Sequence, residues 1–194
     1  THKTATIFVQ VVPEGKVTVP KLEIGNTHSA ALKADGTVWT WGNNSNGQLG
    51  TGNNTSKTSP IKVMNIQDVI DLSVGYYDTA VVKKDGTVWT WGYNGYGQLG
   101  LGDNSNRYRP TQINIENVVD IAAGNNHVLL VTKDGKVYSY GTNSYGQLGR
   151  DGNTLLPEEI PNLENIEKVA DVEILKSSVI YGANGSGKSN FIDA

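Results

Sequence analysis

A threefold internal repeat constrains the fold of this chain more than any other feature of its sequence. The run Asp-Gly-Thr-Val-Trp-Thr-Trp-Gly occurs at residues 35–42 and again at 85–92, and residues 134–141 are Asp-Gly-Lys-Val-Tyr-Ser-Tyr-Gly. Each run is followed by Gly-Gln-Leu-Gly, at residues 47–50, 97–100 and 146–149. The copies start 50 and then 49 residues apart. A period of this length is typical of propellers, solenoids and arrays, whose units bury their apolar faces against one another.

The sequence of each unit predicts several short strands. In the first unit, the β-prone runs 30–32 and 38–41 are joined across Asp35-Gly36, and an Asp-Gly pair between two such runs is a strong hairpin signal. Strand alternation places Trp39 and Trp41 on one face of the second run. Further strand signals follow Pro60 and occur at residues 69–70. Short strands separated by Gly, Asn and Pro describe one blade of a β-propeller.

These units resemble the repeat of the regulator of chromosome condensation family. The resemblance is carried by residues 25–32 (GNTHSAAL), by the Asp-Gly-Thr-Val-Trp-Thr-Trp-Gly runs and by residues 44–50 (NSNGQLG), and it covers about residues 22–170. It implies a seven-bladed propeller that chiefly binds other proteins. Because this chain has about three units, we predict an all-β fold of about three full blades plus terminal strands. We expect the incomplete ring to be closed by the terminal strands or by oligomerisation.

The repeat boundaries divide the chain into three parts. Residues 1–20 are predicted to form an N-terminal hairpin or cap, with strands at 4–12 and 16–19. Residues 21–170 contain the three repeats, at about 22–70, 71–119 and 120–170. Residues 171–194 depart from the repeat and are interpreted as a degenerate blade strand or as a truncated phosphate-binding segment.

The last segment contains the one motif that suggests chemistry. Residues 182–189 satisfy G-x-x-x-x-G-K-S, in which glycines such as Gly182 and Gly187 let backbone N–H groups approach phosphates. Lys188 would reach the β- and γ-phosphates and Ser189 would bind Mg²⁺. Residues 179–194 also resemble the start of chromosome-maintenance and related ATPases. However, residues 181–187 equally match the blade loop at 140–146, and only five residues follow Ser189. ATP with Mg²⁺ is therefore a cofactor only under this alternative, and otherwise no cofactor is expected.

Comparison of the three units with one another separates scaffold from variable positions. The Asp-Gly turn and the Gly-Gln-Leu-Gly tail do not change, whereas several loop positions do. Rigid scaffolds carry their binding residues on such loops, and aromatic rings there supply contact area at low entropic cost. The predicted protein-binding residues are Tyr76, Tyr77, Tyr93, Tyr96, Tyr145, Asn43 and Asn46. For Tyr96 and Tyr145, packing between blades is an equally favoured interpretation.

Other conspicuous residues are predicted to be structural. The ring pairs at 39/41, 89/91 and 138/140 are expected to pack between units. His28 and His127 occupy equivalent positions, where the second unit has Asp78. A metal or catalytic site would not recur in every unit while exchanging His for Asp. We therefore expect these side chains to bond neighbouring backbone, and we predict no metal site.

Composition excludes further classes of function. The net charge of −3 provides no basic footprint for nucleic acid, and the chain has no Cys. No apolar run approaches a membrane span and no signal-peptide core is evident, so we expect a soluble protein of unknown compartment without a membrane partner. The sequence predicts a non-catalytic propeller scaffold that binds another protein through variable loops and self-associates. An ATP- or GTP-binding module is the alternative.

Overall fold

The computed structural model describes residues 17–164 and 166, and the strands of this part form three four-stranded antiparallel sheets. Blade one contains β1 (Lys21–Ile24), β2 (His28–Leu32), β3 (Val38–Gly42) and β4 (Lys57–Lys62). Blade two contains β5 (Val69–Val74), β6 (Asp78–Lys83), β7 (Val88–Gly92) and β8 (Arg107–Gln112). Blade three contains β9 (Val118–Ala123), β10 (His127–Thr132), β11 (Val137–Gly141) and β12 (Thr154–Glu159). The prediction of all-β propeller blades is confirmed, and the described residues do not close a ring.

The Asp-Gly turns form for the reason that the sequence indicates. Gly36 has a φ of +76°, a conformation that costs glycine little. The carboxylate of Asp35 accepts hydrogen bonds from the backbone N–H and the hydroxyl of Thr37, at 3.0 and 2.6 Å. These bonds lower the pKa of Asp35. The tight turn fixes the register of β2 against β3, in which Ala31 faces Trp39 and Ser29 faces Trp41.

The first strands of the blades lie side by side. The ammonium group of Lys21 on β1 donates to the Leu72 carbonyl on β5 at 2.8 Å. The hydroxyl of Ser73 on β5 accepts the backbone N–H of Ala123 on β9 at 2.9 Å. Each blade therefore continues outward from its first strand, as in a propeller, and its fourth strand lies at the outer edge.

Two apolar clusters fill the spaces between blades, and blade two contributes to both. Val81 and Trp91 pack with residues of blade one, whereas Ala80, Val82 and Val88 pack with residues of blade three. Burial on both faces explains why β6 contains three consecutive apolar residues, Ala80, Val81 and Val82, where a strand with one exposed face would alternate. The packing role predicted for the ring pairs is observed at 89/91 and 138/140, with Trp91 and Tyr140 fully buried. Trp39 and Trp41 are half-buried and belong to neither cluster.

The segment before β1 differs from its prediction. Residues 17–20 form no strand, although a strand was predicted at 16–19. The backbone N–H groups of Val17 and Thr18 both donate to the Ala34 carbonyl, and the Thr18 hydroxyl donates to the Ile70 carbonyl at 2.9 Å. Two adjacent donors on one acceptor do not form a strand ladder, so the segment crosses irregularly from blade one to blade two. The rest of the predicted hairpin and residues 171–194 lie outside the described residues.

Candidate functional site

The loop after the third strand of each blade is held by two amide side chains. Asn44, which is fully buried, donates to the Asn53 carbonyl at 2.9 Å and accepts the backbone N–H of Leu49 at 3.0 Å. The amide oxygen of Gln48 accepts the backbone N–H of Asn46 at 2.9 Å. The equivalent glutamine–backbone bonds in the other blades measure 3.0 and 2.9 Å. Satisfied buried amides are rigid, so the residue at the loop tip has a fixed position.

The repeated glutamine was predicted to be part of the scaffold, whereas the role of the asparagine four residues before it was not predicted. The repeated Asn-x-x-Gly-Gln-Leu-Gly pattern was the available signal. Asn94 in blade two makes the same contacts as Asn44, to the Asp103 carbonyl at 2.7 Å and to the Leu99 N–H at 2.9 Å. In blade three, Asn143 accepts the Leu148 N–H at 2.8 Å.

Four of the predicted residues form one surface on blade two, which we call the tyrosine surface: Tyr76, Tyr77, Tyr93 and Tyr96. Tyr76 and Tyr77 lie between β5 and β6, and Tyr93 and Tyr96 lie between β7 and β8. Successive ring centroids are 4.5, 6.4 and 6.1 Å apart, all in edge-to-face geometry. Tyr76 and Tyr96 are 39% and 52% exposed. Mutual ring contacts stabilise such an arrangement while leaving part of each ring accessible.

Gly95 makes room for this arrangement. A Cβ atom at residue 95 would lie 2.0 Å from the Tyr93 hydroxyl oxygen, which is closer than any real contact. In blade one the equivalent residues are Asn43 and Ser45, whose side chains bond each other at 2.7 Å. The position of the Tyr93 ring therefore requires glycine at residue 95. Of the three units, blade two alone has both residues.

Asn43 and Asn46 lie on blade one, where their side-chain oxygens accept hydrogen bonds from other residues. The amide oxygen of Asn43 accepts the N–H and hydroxyl of Ser45 and, at 2.9 Å, the amide of Gln48. The amide oxygen of Asn46 accepts the amide of Asn106 on blade two at 3.5 Å. Asn43 thus supports its own loop, and Asn46 joins neighbouring blades.

Tyr145 lies on blade three and is 94% exposed. Together with Tyr96 of blade two it borders a groove of about 500 Å³. The groove also contains the polar side chains of Asn125, Asn126 and Gln147. Packing between blades, the other interpretation of these tyrosines, does not describe Tyr145.

The histidine position contains two strongly perturbed titratable groups, His28 and Asp78. His28 is 2% exposed, and its Nε2 atom lies 3.0 Å from the hydroxyl of Thr79 in blade two. Burial lowers the pKa of His28 to about 4. Burial raises the pKa of Asp78, which is 1% exposed, well above its usual value. Within the described residues, no three His, Cys, Asp or Glu side chains are grouped as metal ligands.

The predicted nucleotide-binding residues Gly182, Gly187, Lys188 and Ser189 lie outside the described residues. Residues 17–164 and 166 contain no helix that is long and apolar enough to cross a membrane.

Comparisons with known proteins identify the repeat. A family model described as the regulator of chromosome condensation (RCC1) repeat matches residues 35–82, 85–131 and 134–174. A second model of the same description matches residues 21–48, 69–98 and 118–147. The human probable E3 ubiquitin-protein ligase HERC3 is 43% identical over 53 residues, which are 27% of this chain and 5% of HERC3.

Solved structures have the same fold. The Prp20p structure from Saccharomyces cerevisiae matches with a TM-score of 0.65 at 24% identity, and the match covers 73% of this chain and 38% of that structure. Human WBSCR16 matches with a TM-score of 0.63 at 24% identity, over 71% of this chain and 38% of its own. A structure of Kap60 bound to yeast RCC1 (Prp20) matches with a TM-score of 0.64 at 26% identity, over 73% and 37%. The chain spans well under half the length of these relatives.

Proposed function

This chain belongs to the regulator of chromosome condensation (RCC1) repeat family, and from that premise we propose that it is a non-catalytic propeller scaffold that binds a protein partner. The observation that carries the proposal is the tyrosine surface. Blade two has tyrosine at four loop positions where blade one has Asn26, Thr27, Asn43 and Asn46. Tyrosine is enriched at binding hot spots because its ring buries a large area while its hydroxyl tolerates water.

The relatives support a binding role. The Prp20p structure is described together with the binding of that protein to Gsp1p and histones, and yeast RCC1 is seen bound to Kap60. By analogy with these proteins, we propose that this chain binds a protein partner. The analogy does not identify that partner. Two strongly perturbed groups of the described residues, His28 and Asp78, are 2% and 1% exposed and therefore out of reach of a substrate. This placement favours binding over catalysis, and neither nucleic acid nor a membrane is a proposed partner.

The tyrosine surface can be tested by affinity capture. We expect Tyr76→Ala and Tyr96→Ala to reduce capture of the partner from a lysate of the source organism by about tenfold each, since truncation of a hot-spot residue costs more than about 1 kcal/mol. Gly95→Ala removes no tyrosine but displaces the Tyr93 ring, so it should reduce capture as well. Quantitative mass spectrometry of the captured proteins is the measurement.

A matched control comes from the outer strand of the same blade. Tyr108 on β8 is 40% exposed and is not part of the tyrosine surface, so Tyr108→Ala should leave capture unchanged. Equal loss in Tyr108→Ala and Tyr96→Ala, or no loss in any variant, would contradict the proposal.

Self-association is a second part of the proposal, and it is supported by the outward face of blade one. Strand register places Leu22, Ala31 and Trp39 in one cross-strand row and Ile24, Ser29 and Trp41 in the next. Leu22 and Ile24 are 76% and 81% exposed. Their equivalents in blade two, Leu72 and Val74, are buried against blade one. A blade of a second copy could cover this face in the same way.

Nucleotide binding by residues 182–189 rests on the sequence motif alone. A nucleotide titration tests it, because micromolar ATP binding that Lys188→Ala abolishes would support that alternative.

A further inference from the structure

We infer that the groove between Tyr96 and Tyr145 binds an extended, proline-rich segment of the partner protein. The inference rests on the proposed function and adds the chemical class of the partner. It concerns the junction of blades two and three, next to the tyrosine surface.

Two tyrosine rings border the groove, one from each blade. Tyr96 and Tyr145 are 52% and 94% exposed, so both rings can contact a ligand. A glutamine amide oxygen accepts the backbone N–H of each tyrosine, from Tyr96 at 3.0 Å to the buried Gln98 and from Tyr145 at 2.9 Å to the half-buried Gln147. Proline-rich segments bind in aromatic-lined grooves because their polyproline II conformation is already formed and loses little entropy on binding.

Two amide side chains of the groove, those of Asn126 and Gln147, offer unused N–H donors. The oxygen of Asn126 accepts the amide of Gln98 at 3.3 Å, and the oxygen of Gln147 accepts the N–H of Tyr145 at 2.9 Å. In blade one, the amide nitrogen of Gln48 donates to the side-chain oxygen of Asn43. Blade three has Thr142 at the position of Asn43. The Thr142 hydroxyl lies against that of Ser144, at 3.3 Å. Within residues 17–164, the N–H groups of Asn126 and Gln147 are therefore left for a ligand.

A proline-rich segment complements these donors. Proline has a carbonyl acceptor but no N–H, and the polyproline II backbone makes no internal hydrogen bonds. A carbohydrate, whose hydroxyl groups donate as well as accept, is the competing class of ligand, and the titration below therefore includes one. The groove also contains no carboxylate, ammonium or guanidinium group, and burial lowers the pKa of its one histidine, His127, so that the ring is neutral at neutral pH. A phosphorylated or acidic segment would find no counter-charge.

Calorimetric titration of the full chain with defined probes tests the inference. We expect decaproline to bind at least tenfold more tightly than a glycine–serine peptide of the same length or than cellohexaose. Tyr145→Ala should weaken decaproline binding at least fivefold, while Tyr145→Phe, which keeps the ring, and Tyr108→Ala should not change it. Because Tyr145 is almost fully exposed, its replacement leaves the fold intact.

Each other outcome overturns the inference. Absence of decaproline binding, equal binding of the glycine–serine peptide, preference for cellohexaose, or binding that survives Tyr145→Ala would each do so. A different experiment decides the proposed function, namely capture of the whole partner protein and its loss in the Tyr76→Ala and Gly95→Ala variants. If the chain captures its partner through those residues but does not bind decaproline, the proposed function stands and the inference about a proline-rich segment is wrong.

Discussion

At the scale of single residues, the first position of the second strand in each blade shows how one site can accept different side chains. His28, Asp78 and His127 each fold back over the glycine three residues earlier, where an added Cβ would lie 2.7, 2.5 and 2.3 Å from the folded side chain. The glycines at 25, 75 and 124 are therefore required by space. The Thr79 hydroxyl donates to the Gln48 carbonyl at 3.0 Å, so the Nε2 atom of His28 must carry the proton that Thr79 accepts.

This burial makes the stability of the protein depend on pH. The pKa of His28 is about 4 in the folded state and near 6.5 when the chain is unfolded, so stability is lost as the pH falls through that window. The loss should approach about 3 kcal/mol, since each pKa unit corresponds to about 1.4 kcal/mol. Urea unfolding at about pH 7 and about pH 4.5 measures it.

Two variants separate His28 from other titrating groups. His28→Gln should remove most of this pH dependence, whereas His127→Gln, which changes a less buried ring, should retain it. Asp78 acts in the opposite direction, because a raised pKa favours the folded state below about pH 4 and loses that contribution as the pH rises. If wild type and His28→Gln lose stability equally on acidification, His28 is not the cause.

The structural role of these residues could be predicted from the sequence, but not all of their contacts could. Alternation of His and Asp at one repeat position argues against catalysis without any coordinates. His28 bonds the backbone of Asp78, and Asp78 bonds the backbone of Tyr77, in line with the prediction of bonds to neighbouring backbone. The contact of His28 with the Thr79 hydroxyl, 51 residues away, was not predicted. Likewise, the tyrosines could be identified as variable loop residues. Their edge-to-face contacts depend on how two loops meet, which the sequence does not specify.

At the scale of elements, the third strand has a ring at the same position in every blade, with different surroundings. Trp91 on β7 is fully buried, and its indole N–H donates to the Gln48 carbonyl of blade one at 3.0 Å. Trp41 on β3 is only half-buried. The position of the blade in the array, not the type of residue, therefore determines how much the ring contributes to the stability of the fold.

The two tryptophans form a matched pair for mutation. Trp91→Ala should lower the free energy of unfolding by about 3–5 kcal/mol, because it leaves a cavity where a fully buried ring was. It also removes one of the two hydrogen bonds to the Gln48 carbonyl, which keeps its bond from the Thr79 hydroxyl. Trp41→Ala should cost clearly less, since less of its ring is buried. Urea unfolding of both variants gives the comparison. Equal costs would mean that Trp41 is covered as fully as Trp91.

Strand prediction succeeded at the hairpins and was less accurate at the outer edge. The Asp-Gly turns determine the second and third strands directly. The fourth strand pairs through a register shift, between Thr40 and Gly42 in blade one, and it contains Pro60. Proline is tolerated there because an edge strand need not donate every N–H, so the strand begins earlier than the apolar pattern predicts.

At the scale of the whole molecule, the three blades that the structure describes have two end faces with different chemistry. The face of blade one presents Leu22, Ile24 and half-buried tryptophans. The opposite face of blade three presents Leu129 and Val131, which are half-buried, whereas their equivalents Ala80 and Val82 in blade two are buried against blade three. The contact that joins successive blades could thus be repeated between copies.

We expect this contact to produce self-association. Light scattering should give a mass above the 20.8 kDa of one chain that rises with protein concentration. Leu22→Glu should reduce the mass toward one chain, because it places a charge in the contact, whereas Met64→Glu, at a loop residue that is 65% exposed, should not. A constant mass of one chain for the wild type would contradict self-association.

The unlike end faces also determine the symmetry of any such assembly. A two-fold dimer needs one patch that complements itself, whereas tryptophans at one end and aliphatic side chains at the other complement each other head to tail. A copy that covers one end exposes the same kind of end again. Head-to-tail addition of copies stops only if the curvature of the blades brings the last subunit into contact with the first and closes a ring. If the ring does not close, the assembly continues as a filament.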